Sequence, residues 1–359
     1  MEILAIIPAR SGSKSVIDKN IRPVAGKPML AHSIAHAKAS KLITRVIVST
    51  DSAKYAEIAR EYGAETPFLR PKEYATDTAL DADVFFHALT WLKEHENYEP
   101  DAVVQLRPTY PIRNPEDIDA MIKIILSDES IDSVRSVAPA KEVPYKMWLS
   151  DETEKCGKFT DGSRTMKLRP LMDYPKECYN MPRQQLPQVY YQNACIDVLR
   201  TKTVLDGHSM SGKNIYGYVM DRNYDIDTPE DLKKAEEELL RMEKADRIAN
   251  GRCRFVFDID GVIAKLNPEN NYAVSEPDKE MVGLINRLHG YGNEIILHTA
   301  RGYVTGIDWS KTTLSQLKNW GLKYDGLVFG KPNATYYVDD RMLSVEELKS
   351  LMLYMSARE

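Results

Sequence analysis

No apolar run approaches the roughly 18 residues that a membrane-spanning helix requires, so no membrane segment is expected. The opening MEILAIIPAR is too short an apolar run for a signal peptide, and the expectation is a soluble cytoplasmic protein. Cysteine is scarce. The four, Cys156, Cys178, Cys195 and Cys253, form no CxxC pair, which excludes a zinc knuckle and a disulfide framework. The net charge is only −5, with lysine and arginine dispersed, so a basic stripe for gripping nucleic acid is missing. GxxxxGK(S/T) and GxGxxG loops are absent, as are internal repeats and low-complexity tracts. What the chain does have is length: 359 residues are enough to bury two separate cores.

Strand-like and helix-like segments alternate. A short apolar strand over 3–8 leads into a polar turn and an amphipathic helix over 29–39; a strand over 45–49 precedes a helix over 53–62. A helix over 82–94, a strand over 102–106 and a helix after Pro115 continue the order. Such alternation predicts a mostly parallel α/β sheet with ligands at the carboxyl ends of its strands. Residues 133–190 are irregular and rich in Pro, Lys, Arg and Tyr, which predicts an insertion that covers substrate or contacts another subunit. Thr228-Pro229-Glu230 starts a helix that closes the first domain, 1–245; alternation resumes in a second, 246–359.

The first polar turn reads Arg10-Ser11-Gly12-Ser13-Lys14, then Lys19-Asn20. Small residues let backbone N–H groups approach a phosphate while Arg10, Lys14 and Lys19 supply charge, although a solvated basic turn has the same composition. Asp225 and Asp227 alternate in an extended segment, placing both carboxylates on one side. That pattern suits Mg²⁺, and equally a cluster at the start of the adjoining helix.

Further elements occur in order: Val48-Ser49-Thr50-Asp51, Leu69-Arg70-Pro71, Ala75-Thr76-Asp77-Thr78, Pro108-Thr109 with Pro111, Pro182-Arg183-Gln184-Gln185-Leu186-Pro187, Asn193, and Asp225-Ile226-Asp227-Thr228. Together they resemble the acylneuraminate (CMP-nonulosonate) cytidylyltransferase family over nearly all of residues 1–240. The resemblance implies a Rossmann-like nucleotidyltransferase domain and Mg²⁺-dependent transfer of CMP from CTP to a sugar acid, with a homodimer or homotetramer built through the insertion. It also implies a nucleotide site of Arg10, Ser13, Lys14, Lys19, Asn20, Ser49, Thr50 and Asp51, with Arg10 and Lys14 catalytic. Arg107, Lys146, Arg183, Gln184 and Asn193 would face the acceptor, and Asp225 with Asp227 would hold the metal. Two departures stand out. Arg107 replaces the family's usual glutamine, suggesting an acceptor with another carboxylate, phosphate or differently placed polar group, and Ala194 replaces the usual glycine.

In the second half, the strand Phe255-Val256-Phe257 runs into Asp258-Ile259-Asp260-Gly261. Asp258 is placed to attack phosphorus and Asp260 to protonate a leaving oxygen. Thr299, Lys331 and Asp339 come later in that order, and the set resembles the haloacid dehalogenase (HAD) superfamily phosphatases, in particular those of bacterial capsule pathways. The resemblance implies phosphate-monoester hydrolysis, with Asp258, Asp260 and Asp339 around Mg²⁺, Thr299 on the phosphate and Lys331 neutralising it. The short intervals leave no room for a large cap, so a capless HAD-like Rossmannoid domain is expected, with 265–275 as a local lid. In an alternating strand His298 points away from Thr299. The combined expectation is a bifunctional enzyme of surface-polysaccharide precursor synthesis, acting on a sugar acid and a phosphate ester. Two alternatives stay open: a different small acid or phosphonate as acceptor, and a second domain that only orders an oligomer.

Overall fold

A computed structural model of the chain describes all residues except 14–15, 151–156, 159–163, 166–167, 221–223, 266–270, 333, 335–338 and 359. Two compact units emerge, Met1–Glu236 and Glu237–Glu359. The division falls inside a helix rather than at the expected 245/246. Ala245 and Ile248 are part of the second core, so the last turns of that helix belong to the second unit.

The first unit is built on β1 (Ile3–Pro8), α1 (Met29–Ala39), β2 (Arg45–Ser49), α2 (Ala53–Glu61), α3 (Asp81–Glu96) and β3 (Ala102–Gln105). It continues with α4 (Pro115–Ser127), β4 (Ser133–Pro139), β5 (Tyr190–Arg200), α5 (Thr201–Leu205), β6 (Ile215–Val219) and the start of α6 (Pro229–Ala249). The six-stranded sheet runs β6-β4-β5-β3-β1-β2. β1 lies parallel to β2 and β3, whereas β5 is antiparallel to both β3 and β4. The sheet is therefore mixed. β1 is buried on both faces, hence its continuous apolar sequence. Ile3, Ala5 and Ile7 pack towards α1 and α4 residues; Leu4 and Ile6 pack towards Phe85 and Leu89 of α3.

Two expectations for the first unit change. Residues 133–139 are a core strand, because Val134, Ser136 and Ala138 alternate inward, so the irregular arm begins only after them. In the arm Trp148–Ser150 pairs antiparallel with Leu168–Pro170. The second change is a register shift in β5 between Gln192 and Asp197, where Ala194 takes a φ of 57°. This is a β-bulge in which a non-glycine residue accepts left-handed backbone.

In the second unit β7 (Arg254–Asp258), β8 (Glu294–Thr299) and β9 (Gly326–Phe329) form a parallel three-stranded sheet in the order β7-β8-β9. Helices α7 (Lys279–Gly290), α8 (Ser310–Asn319) and α9 (Val345–Ser356) accompany it. Leu284, Ile285, Leu351 and Met352 join Ile295 and Leu297 in one core. The expected strand over 336–338 lies outside the described residues, as do residues 266–270 of the expected lid. Among the described residues, no helix is long and apolar enough to cross a membrane.

Candidate functional site

The carboxyl ends of β1, β2 and β3 open on one edge of the first sheet, and the loops beyond them hold most of the residues expected to contact nucleotide. Arg10 leaves β1 and pairs with Asp77 at 2.7 Å. Ser11 is clamped by Asp51, which accepts from both its backbone N–H and its hydroxyl at 2.7 Å. Burial pushes the Asp51 carboxyl up, but the bonds from Ser11 outweigh that and hold it below the usual carboxylate range. Ser13 comes after Gly12, whose φ of 76° turns the loop; Lys14 lies outside the described residues. Asn20, nearly buried, donates to the Arg10 carbonyl at 2.9 Å and so fixes the far side of the loop.

Ser49 and Thr50 are fully buried. The Arg70 guanidinium donates to the Ser49 hydroxyl at 3.0 Å and to its carbonyl, and burial pulls that guanidinium down to about 10. Thr50 Oγ1 accepts from the Ser52 N–H. Expected as nucleotide contacts, these two turn their hydroxyls inward because Arg70 and the next turn claim them.

Lys19 reaches across the edge to Asp227, Nζ to Oδ1 at 2.9 Å. The lysine is almost buried and the aspartate largely exposed. Asp225 has a buried Oδ1 without a partner. Burial raises its carboxyl above the usual range, hydrogen bonding from Thr109 opposes this, and neighbouring Asp227 adds to the rise. The helix-cap alternative is taken by other groups: Thr228 and Asp231 exchange the capping bonds of α6, with Asp231 N–H to Thr228 Oγ1 at 3.2 Å and Thr228 N–H to Asp231 Oδ2 at 3.0 Å. A buried, unpartnered carboxylate oxygen beside a second carboxylate fits a hard divalent cation.

The acceptor-side residues divide. Lys146, Arg183 and Gln184 lie on the arm, and the first two bond within it: Lys146 donates to the Tyr179 carbonyl and Arg183 to that of Lys141. Asn193 is buried at the bulge, where its Oδ1 accepts from Ser136 at 2.5 Å while its Nδ2 has no partner. Arg107 is not a free cation as expected. It is paired with Asp81 at 2.5 Å, lies 3.6 Å from Asp197, and donates to the Ala194 carbonyl at 3.0 Å. No local sequence signal marks this neutralisation, because Asp81 and Asp197 are brought in by α3 and β5.

In the second unit Asp258, at the end of β7, is bridged to Lys331, and Thr299 is buried at the end of β8. Thr299 Oγ1 accepts from the Arg301 N–H at 3.1 Å. The Arg301 side chain, fully buried, grips both oxygens of Asp260 at 2.7 and 2.8 Å and also donates to Gln316 at 2.7 Å. Sequence reasoning missed this fork, which depends on α8. His298 is half-buried beside a buried Thr299, as alternation predicts. Asp339 is exposed and accepts from the Arg341 N–H at 2.8 Å. Among the described residues no three acidic, cysteine or histidine side chains gather to hold a metal. Of the expected Asp258, Asp260 and Asp339 set, the first two carboxylates are paired with Lys331 and Arg301 in this structure.

Comparison with known proteins bears on the first unit. Residues 4–252 match the family model described as cytidylyltransferase. The chain is 32% identical over 237 residues to post-translational flagellin modification protein B of Campylobacter coli, covering 66% of this chain and 94% of that protein. It is 33% identical to CMP-N,N'-diacetyllegionaminic acid synthase of Legionella pneumophila, covering 64% and 93%. With N-acylneuraminate cytidylyltransferase of Escherichia coli it shares 30% identity, over 79% of this chain and 60% of that one. A solved structure of CMP:2-keto-3-deoxy-manno-octonic acid synthetase complexed with CTP superposes with a TM-score of 0.50 at 15% identity, over 67% of this chain and all of the other. That likeness is one of fold, the α/β nucleotidyltransferase sheet. With the family model spanning well over half its length, the chain belongs to the cytidylyltransferase family.

Proposed function

We propose that the first unit transfers CMP from CTP to a nonulosonate-like sugar acid. The observation that carries the reading is the meeting of the basic loop with the carboxylate pair: Lys19 on Asp227, beside the unpartnered oxygen of Asp225. The names of the relatives, which include a legionaminic acid synthase and an acylneuraminate cytidylyltransferase, support a sugar-acid acceptor. An acceptor hydroxyl forms a new bond to the α-phosphorus, the bond to the β-phosphate oxygen breaks, and pyrophosphate and a proton leave. Arg10 and Lys19 neutralise the phosphates, joined by Lys14, and Asn20 holds the loop against them. Asp225 and Asp227 would hold Mg²⁺, which supplies Lewis-acid polarisation of phosphate oxygens when bound. The exposed Met147, Trp148, Leu168 and Tyr174 on the arm support its use as a contact with a second copy of the chain. Pyrophosphate release tests this: it should require CTP, Mg²⁺ and a sugar acid together, and fall at least about a hundredfold in Lys19→Met. Release that is indifferent to the sugar acid would contradict it.

A second activity, phosphate-monoester hydrolysis, is proposed for the second unit on the ion pair of Asp258 with Lys331 at the strand ends. Asp258 would attack phosphorus, Lys331 would orient it and balance its charge, and Arg301 would hold Asp260 in place. Asp258→Asn should abolish phosphate release and leave pyrophosphate release intact; loss of both would overturn independent sites.

A further inference from the structure

Three separate pieces of the second unit meet on one buried guanidinium. Arg301, just past β8, forks onto both oxygens of Asp260 on the loop after β7. Its remaining terminal nitrogen donates to Gln316 Oε1 at 2.7 Å and to Thr313 Oγ1 at 3.2 Å, both on α8. The third piece is the turn Tyr272–Val274, whose tyrosine ring centre lies 5.0 Å from the guanidinium carbon. Gln316 joins that turn to α8, since its Nε2 donates to the Tyr272 carbonyl at 2.6 Å. Trp309, at the start of α8, meets the same tyrosine edge-on with ring centres 5.3 Å apart. The helix presents these groups because Thr313, Gln316 and Leu317 stand at i, i+3 and i+4, and the fully buried Thr313 and Leu317 fix which side faces inward.

The amide of Gln316 suits this place for a chemical reason. A guanidinium carries only donors and a backbone carbonyl only accepts, so a group set between them must accept on one side and donate on the other. A primary amide does both. A carboxylate would set an oxygen against the Tyr272 carbonyl, and an apolar side chain would leave a buried N–H of Arg301 with less to bond. With Gln316 and Thr313 fixing one nitrogen of the guanidinium, the other two are aimed at Asp260, at 2.7 and 2.8 Å. Each Asp260 oxygen spends one lone pair on Arg301 and keeps another for a proton. The Asp260 side chain is 23% exposed, so the network fixes the direction of a group that a substrate can still reach.

We propose that Gln316 is a positioning residue of the phosphate-ester site: acting through Arg301, it sets the angle from which Asp260 delivers a proton to the leaving oxygen. The inference rests on the hydrolytic reading of the second unit. In the step concerned an Asp258 oxygen bonds to phosphorus, the ester P–O bond breaks, and the Asp260 proton goes to the departing oxygen. Water then attacks the aspartyl phosphate, returns a proton to Asp260, and releases phosphate and the Asp258 carboxylate.

The test turns on the leaving group. Phenolate is a poor one and needs the Asp260 proton, whereas p-nitrophenolate departs with little help. Gln316→Met and Gln316→Ala should therefore lower kcat for phenyl phosphate about tenfold or more, while kcat for p-nitrophenyl phosphate and both KM values stay within about twofold of wild type. Both replacements are good helix formers at a partly exposed position of α8, so folding is retained. Adding Gln316→Met to Arg301→Met should cost nothing further, because the glutamine acts through the arginine. If Arg301→Met does not fold, the two Gln316 variants decide alone. Equal losses on both esters would make Gln316 a structural residue only and overturn the proposal, as would unchanged kinetics, with the hydrolytic reading intact in either case. A wild-type protein that releases phosphate from neither ester overturns the reading and the proposal together.

Discussion

Asp225 and Asp227 sit two residues apart, and the structure gives them opposite effects on stability. Asp225 has a buried oxygen without a partner and a carboxyl raised by burial, so in the ligand-free protein its charge works against folding. An unsatisfied buried acceptor costs about 1–3 kcal/mol, and replacing the carboxylate by an amide recovers part of that, about 1 kcal/mol. For a unit of this size that corresponds to a rise in Tm of about 2–4 °C. Asp227 is the partner of a nearly buried lysine, and Asp227→Asn strands the Lys19 ammonium. The largely exposed carboxylate weakens the pair, so a loss of about 1 kcal/mol is expected. Calorimetry of both variants in EDTA reads the signs directly. The same scans with Mg²⁺ and CTP should show stabilisation of the wild type that Asp225→Asn lacks. A Tm that falls in Asp225→Asn without ligand would refute the reasoning, because it would make the carboxylate a satisfied structural group.

His36 has a ring nitrogen without a partner, and burial, with Arg113 nearby, lowers its pKa from 6.5 to about 3. The folded state therefore refuses a proton that the unfolded chain accepts, so stability is complete above pH 6.5 and is lost as pH falls towards 3; at about pH 4.5 the loss reaches at most about 2.7 kcal/mol. Urea titrations of wild type and His36→Leu across that range should differ in slope, and parallel curves would contradict the assignment. Ala194→Gly should stabilise the bulge by up to about 1 kcal/mol, since the left-handed φ of 57° strains alanine; an unchanged urea midpoint would contradict it. Arg113 is buried and donates to the Cys195 carbonyl, the Ser33 hydroxyl and the Arg107 carbonyl. Arg113→Met should destabilise the unit by about 3 kcal/mol or more, and a loss under about 1 kcal/mol would show those acceptors to be satisfied otherwise.

Much of the fold was legible where local chemistry decides. The helix expected over 29–39 is α1 itself, and the 82–94 pattern extends by a residue or two to Asp81–Glu96. The basic loop and the two aspartates were legible as residue types, and the family resemblance put them in one site. The antiparallel β5 was not, because its neighbours β3 and β4 are distant in sequence and a bulge interrupts its alternation. Nor was the pairing of Arg107. A lone arginine after a strand reads as a free charge; only the convergence of α3 and β5 brings it two carboxylates. The fork made by Arg301 was hidden for the same reason, since its partners lie on a loop 41 residues earlier and a helix 15 residues later.

The most direct test is product mass. The purified protein, incubated with CTP, Mg²⁺ and a panel of N-acylated nonulosonic acids, is predicted to form a CMP conjugate of at least one acid with equimolar pyrophosphate. Binding of CTP without any conjugate across the panel would contradict the account.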